Sequence, residues 1–86
     1  MDLSFLKKYD RVKIRLVGEN DLYVGKIISA SHIVQIKYHG EYDTYYACYN
    51  LSGKRLTSES RSDLLGSWDI DYIEVIDQVE YNLLAG

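Results

Sequence analysis

The chain has 86 residues, of which 47% are hydrophobic and 27% charged, with a net charge of −3. That length holds one domain with one modest core and is too apolar for a disordered chain. The lone Cys48 excludes an internal disulfide and a cysteine-based structural zinc site.

In chain order, Asp2 is placed to cap a short helix over residues 3–9, with Phe5 and Tyr9 on one face. Residues 11–16 alternate strictly, Val12, Ile14 and Leu16 inward and Arg11, Lys13 and Arg15 outward, and predict the clearest strand of the chain. A turn at residues 18–21 leads into a second strand, 22–29, where the internal Gly25 predicts a bend or a close backbone approach. A third strand over 33–38 turns at His39, Gly40 and Glu41 into a fourth, 42–49. Residues 50–53 predict a hairpin turn into a short strand, 54–57. Ser60 and Asp63 have the spacing of a capped turn with Leu64 and Leu65 behind it. Trp68, Ile70 and Tyr72 alternate along a last strand. At Ile73 and Val75 the apolar phase switches, which predicts a bulge or barrel corner. Residues 78–86 are open to pairing as an edge, packing or fraying. Five or six short strands with bends predict a small all-β, partly closed antiparallel barrel with a short N-terminal helix, spanning residues 1–86 as a single domain.

Two resemblances attach to these elements. Residues 9–37, with Val12-Lys-Ile-Arg-Leu16, a turn and Tyr23-Val-Gly-Lys-Ile27, resemble the opening of an SH3-like or Sm-like barrel. The pattern is an alternating strand followed by an aromatic-x-Gly-basic-aliphatic strand that bends at the glycine. No Sm2-type segment follows, so that family's RNA-binding residues do not carry over. Further on, Tyr49-Asn-Leu-Ser-Gly-Lys-Arg55, then Ser58-Glu-Ser-Arg-Ser-Asp-Leu-Leu65 and a strand opened by Trp68 are similar to the C-terminal half of many small phage-encoded proteins. That resemblance implies a phage origin and a role in disarming host enzymes or defences, in some cases by sequestering nucleotide signals. For the motif itself, Gly53 reads as a positive-φ turn residue, Asp63 as a cap, and Leu64 and Trp68 as core.

Charge is distributed unevenly. Residues 1–37 carry seven basic and four acidic side chains, a balance of +3, and residues 38–86 three basic and nine acidic, −6. Folding either mixes these charges or leaves a basic and an acidic face suited to an anion or to head-to-tail assembly. Binding to duplex DNA is disfavoured, because its affinity comes largely from concentrated Lys and Arg. No apolar run approaches the ~20 residues of a membrane span. Asp2, Lys7 and Lys8 break the order of a signal peptide, so the cytoplasm of a bacterial host is the expected setting.

Nine residues are tyrosine, five of them at 38, 42, 45, 46 and 49. Tyrosine joins a flat apolar ring to a hydrogen-bonding hydroxyl at little conformational cost, which suits binding. On the fourth strand Tyr42, Thr44, Tyr46 and Cys48 share one face and Tyr45, Ala47 and Tyr49 the other. Ala47 leaves a slot between Tyr45 and Tyr49 in which a purine would gain about 1–3 kcal/mol by stacking. The same residues serve equally as core or as an oligomer interface. Arg11 and Lys13, with Lys54, Arg55 and Arg61 near the hairpin, are the candidate phosphate donors, and the outward stripe that holds Arg11, Lys13 and Arg15 also reads as a solvated strand face.

His32 and His39 lack the spacing of a metal pair, and no metal site or cofactor is expected. Ser, His and Asp all occur, but no nucleophile elbow does, and Cys48 reads as a small core residue, so no catalytic residue is expected. The acidic side of the last strand, Asp69, Asp71, Glu74 and Asp77, reads as a solvated face. The leading expectation is a non-enzymatic, homo-oligomeric phage protein. It sequesters a small nucleotide immune signal, such as a cyclic one, with Tyr45 and Tyr49 stacking the base and Arg11, Lys13, Lys54, Arg55 and Arg61 meeting phosphate. The alternatives are an inhibitor that binds a host protein through the same aromatic patch and an Sm-like RNA-binding ring.

Overall fold

The computed structural model describes residues 1–40, 44–56 and 69–85. Strands β1 (Arg11–Leu16), β2 (Tyr23–Ala30), β3 (Ile33–His39), β4 (Thr44–Asn50) and β5 (Ile70–Ile76) precede a helix, α1 (Gln78–Ala85). They form one antiparallel sheet in the order β4-β3-β2-β1-β5. This is the small, partly closed barrel expected from the sequence. The two outermost regions approach each other where the Ile70 N–H donates to the Gly53 carbonyl at 2.9 Å.

Alternation along β1 fixes which face is inside. Val12, Ile14 and Leu16 are buried with Ile27, Val34, Ile36, Tyr38, Ala47, Tyr49 and Ile70. Leu3 and Leu6 close one end of this core. Leu3 opens a single 3-10 turn, Leu3–Phe5, and Leu6 follows it; Asp2 caps the turn by accepting from the Ser4 N–H. The Leu3 N–H donates to the Leu51 carbonyl and ties that turn to the hairpin after β4. The N-terminal helix is thus shorter than the 3–9 expected, since the backbone is already extended at Leu6 (φ −75, ψ 146), and Tyr9 further on is left-handed (φ 75).

Gly25 is needed for close approach: a Cβ there would stand 2.9 Å from Ile36 Cγ2 and 3.0 Å from the Lys37 carbonyl oxygen. Of the expected strand at 54–57, residues 54–56 are described, and they carry one bridge, between Arg55 and Tyr49. Its turn holds Gly53 at φ 82. The phase switch of the last strand is real but earlier than expected. The register slips between Arg15 and Leu16, so Ile70 faces Leu16 while Tyr72 faces Arg15 on the outside. Ile70 and Tyr72 therefore do not share a face. The expected capped turn at 60–63, and Trp68, lie outside the described residues.

The largest departure is α1. Asp77 caps it by accepting from the Glu80 N–H at 2.8 Å, and Asp77 with Glu80 makes the reciprocal spacing of a helix start. The helix packs against the outer side of β1 and β2. There Val24 and Ile76 are buried apart from the main core. No helix among the described residues is long and apolar enough to cross a membrane.

Candidate functional site

The slot expected on β4 does not exist. Ala47 is buried opposite Ile36, and Tyr49 is 0% exposed, its hydroxyl hydrogen-bonded to that of Tyr38 at 2.7 Å. Burial pushes both phenols above the ordinary tyrosine range. The inner parity of β4 is core, so Tyr49 has no ring face to offer a base. Tyr45 shares that parity but stands at the start of the strand opposite Tyr38, 42% exposed. Cys48, expected in the core, lies half-buried on the outer face opposite Gln35.

Most of the expected basic stripe is neutralised by β5 and α1. The Lys13 ammonium lies 2.8 Å from Glu80 and 3.1 Å from Glu74, and these carboxylates raise its pKa. Arg15 pairs with Asp71 at 3.3 Å. Lys13 is therefore a strut for α1 rather than a phosphate donor. Lys54 and Arg55 sit on the hairpin after β4, away from β1. The Arg55 backbone is held by Asp69 at 2.8 Å. The fold does not gather them with Arg11, and Arg61 is outside the described residues.

Strand pairing builds a different cluster. Arg11 on β1 opposes Lys26 on β2, Lys26 opposes Lys37 on β3, and Lys37 opposes Tyr46 on β4. With strands ~4.8 Å apart, the Cα atoms of three cations fall within about 10 Å. Among the described residues no carboxylate pairs with any of the three. Like charges directly opposite one another destabilise a sheet, and this row sets two such pairs side by side.

Tyrosine rings surround the row. Arg11 lies over the Tyr81 ring at 5.9 Å, and Lys26 over the Tyr9 ring at 5.5 Å with Lys8 also 5.1 Å from it. Tyr9 is 61% and Tyr46 52% exposed. Cation–π contact holds the side chains near the rings and leaves their charges available. Among the described residues, Arg11 is thus the one anion donor anticipated from sequence that reaches this cluster; Lys26, Lys37, Tyr9, Tyr46 and Tyr81 were missed. Only register brings them together, though outward parity of Lys26 relative to Gly25 and Ile27 was a usable signal.

Among the described residues no group of His, Cys, Asp and Glu could hold a metal ion. The arrangement can attract an anion and stack flat groups beside it. Comparison with family models, curated proteins and solved structures found no match to this chain.

Proposed function

We propose that the protein is a non-catalytic binding module for a small phosphate-bearing nucleotide, held on the outer face of the sheet. The carrying observation is the row Arg11, Lys26 and Lys37, which no carboxylate among the described residues neutralises. Among the described residues Glu74, Glu80 and Asp71 neutralise Lys13 and Arg15 and none pairs with this row, whose mutual repulsion an anionic ligand relieves. Charge-assisted hydrogen bonds from Arg and Lys to phosphate are among the stronger polar contacts. The flanking tyrosines supply base-stacking surface. In the phage setting implied by the resemblance of residues 49–68, the ligand is an immune signal and the protein sequesters it.

The test is the melting temperature of the purified protein with inorganic pyrophosphate, mononucleotides, cyclic and linear oligonucleotides and ADP-ribose. A ligand that binds only the native state at a hundredfold excess over Kd adds about 2.7 kcal/mol, a rise of roughly 10 °C or more in so small a domain. No rise with any phosphate compound refutes the proposal. It would favour the second reading, a protein-binding inhibitor, for which the exposed Val79 and Leu83 on the outer side of α1 offer apolar contact surface.

A further inference from the structure

Tyr9 is the only non-glycine residue among those described with a left-handed backbone. An L side chain adopts that conformation at a cost and keeps it only where its surroundings enforce it. Here the Tyr9 N–H donates to the Ile27 carbonyl at 2.7 Å, and the Asp10 N–H donates to the Lys7 carbonyl at 3.0 Å. The Asp10 carboxylate in turn accepts from the Lys7 N–H at 2.9 Å. These bonds extend β1 one step and swing the Tyr9 ring out, still largely exposed, against the Lys26 ammonium. A ring so exposed in a strained conformation is not accounted for by packing.

Lys26, Lys37 and Tyr46 stand opposite one another across β2, β3 and β4, and the Tyr9 ring, from the segment that precedes β1, lies against the Lys26 ammonium, so two cations have a ring on either side. Across the sheet the backbones carrying the two rings are three strand spacings apart, ~14 Å, and they are offset along the strands, since Arg11 rather than Tyr9 faces Lys26. A mononucleotide would use one ring and leave the other idle. From this order we infer that the ligand carries two nucleobases joined through phosphate. One base stacks on Tyr9 and one on Tyr46, with Lys26 and Lys37, flanked by Arg11, on the phosphates between them. The inference rests on the phosphate-binding reading above and adds the ligand's class. Two sources share this chemistry, a free dinucleotide and one step of a single strand.

The experiment is titration calorimetry of the wild type, Tyr9→Gly, Tyr46→Leu and Lys37→Glu. The probes are pyrophosphate, adenosine monophosphate, linear and cyclic adenine dinucleotides, and a short adenine single strand. Glycine accepts the φ at position 9 without strain, and leucine at 46 keeps bulk without an aromatic face, so both variants retain the fold, as a melt confirms. The expected result is that each ring variant weakens the dinucleotides roughly 5- to 150-fold and leaves pyrophosphate unchanged. Dinucleotide affinity that survives either ring substitution overturns the two-base inference, and pyrophosphate binding lost in Lys37→Glu would still uphold the phosphate site. Absence of binding by every probe overturns both. Of the supporting outcomes, affinity equal for dinucleotide and strand identifies a free dinucleotide. Affinity that grows with strand length and falls steeply with salt identifies a single strand.

Discussion

Replacing Lys37 by glutamate sets stability and binding against each other at one position. Lys37 faces Lys26 across the β2–β3 pair and Tyr46 across the β3–β4 pair. The substitution turns one repulsive cross-strand pair into an attractive one. Each such pair is worth roughly 0.2–1 kcal/mol, so the reversal adds about 1 kcal/mol, within a range of about 0.4–2. For a domain of this size 1 kcal/mol raises the melting temperature by about 4–8 °C. The gain is electrostatic. It should be largest in dilute buffer and vanish near 1 M salt, where the Debye length is about 3 Å. Pyrophosphate binding, in contrast, should be lost at every salt concentration. Thermal melts at low and high salt, paired with calorimetry, read both effects. A melting temperature that is unchanged or lower in dilute buffer would mean that the row carries no repulsion, and the argument for a functional cation cluster would fail.

Lys13→Met should leave pyrophosphate affinity within about twofold, because Glu74 and Glu80 already occupy that ammonium, while Lys26→Met should weaken it; equal loss in both would restore Lys13 to the site. Gly25→Ala should destabilise by about 1–3 kcal/mol in urea melts, since its Cβ would press on Ile36 and the Lys37 backbone; a neutral effect would show that the sheet gives way there. Alkaline titration should show phenolate absorbance rising in a step that coincides with loss of β-structure. The Tyr23 phenol donates to Glu19 and is pushed up to about 12, and Tyr38 and Tyr49 are raised by burial. With folded values above the unfolded value of about 10, their stabilisation is complete below pH ~10 and is lost as pH rises through the folded values. Ionisation of all nine tyrosines before any loss of structure would contradict the burial of Tyr38 and Tyr49.

Local pattern made much of this fold legible. The alternation of β1 separates core from surface without ambiguity, because a period of two has only one buried phase when charge occupies the other. Gly25 marks the close approach of β2 to β3, since a glycine inside a strand leaves room for a neighbouring backbone. The helix α1 was missed although Asp77 and Glu80 carry a helix-start spacing. An eight-residue segment is marginal as an isolated helix, and this one holds through Lys13 and the covering of Val24 and Ile76.

Tyrosine content marked β4 as unusual but not which face was inside, because rings occur on both parities of that strand. The answer lies in pairing with β3, which puts Ala47 and Tyr49 beside Ile36 and Val34 and leaves Tyr46 outside. The cation row is likewise a property of register. Arg11, Lys26 and Lys37 are separated by 15 and 11 positions in the chain, and a slip of one residue would turn any of them to the other face. Composition, charge and the period of each strand belong to the chain by itself. Which cations stand side by side, and which find a carboxylate, was decided only when the strands paired, because only then do distant residues come within the few ångströms over which charges act.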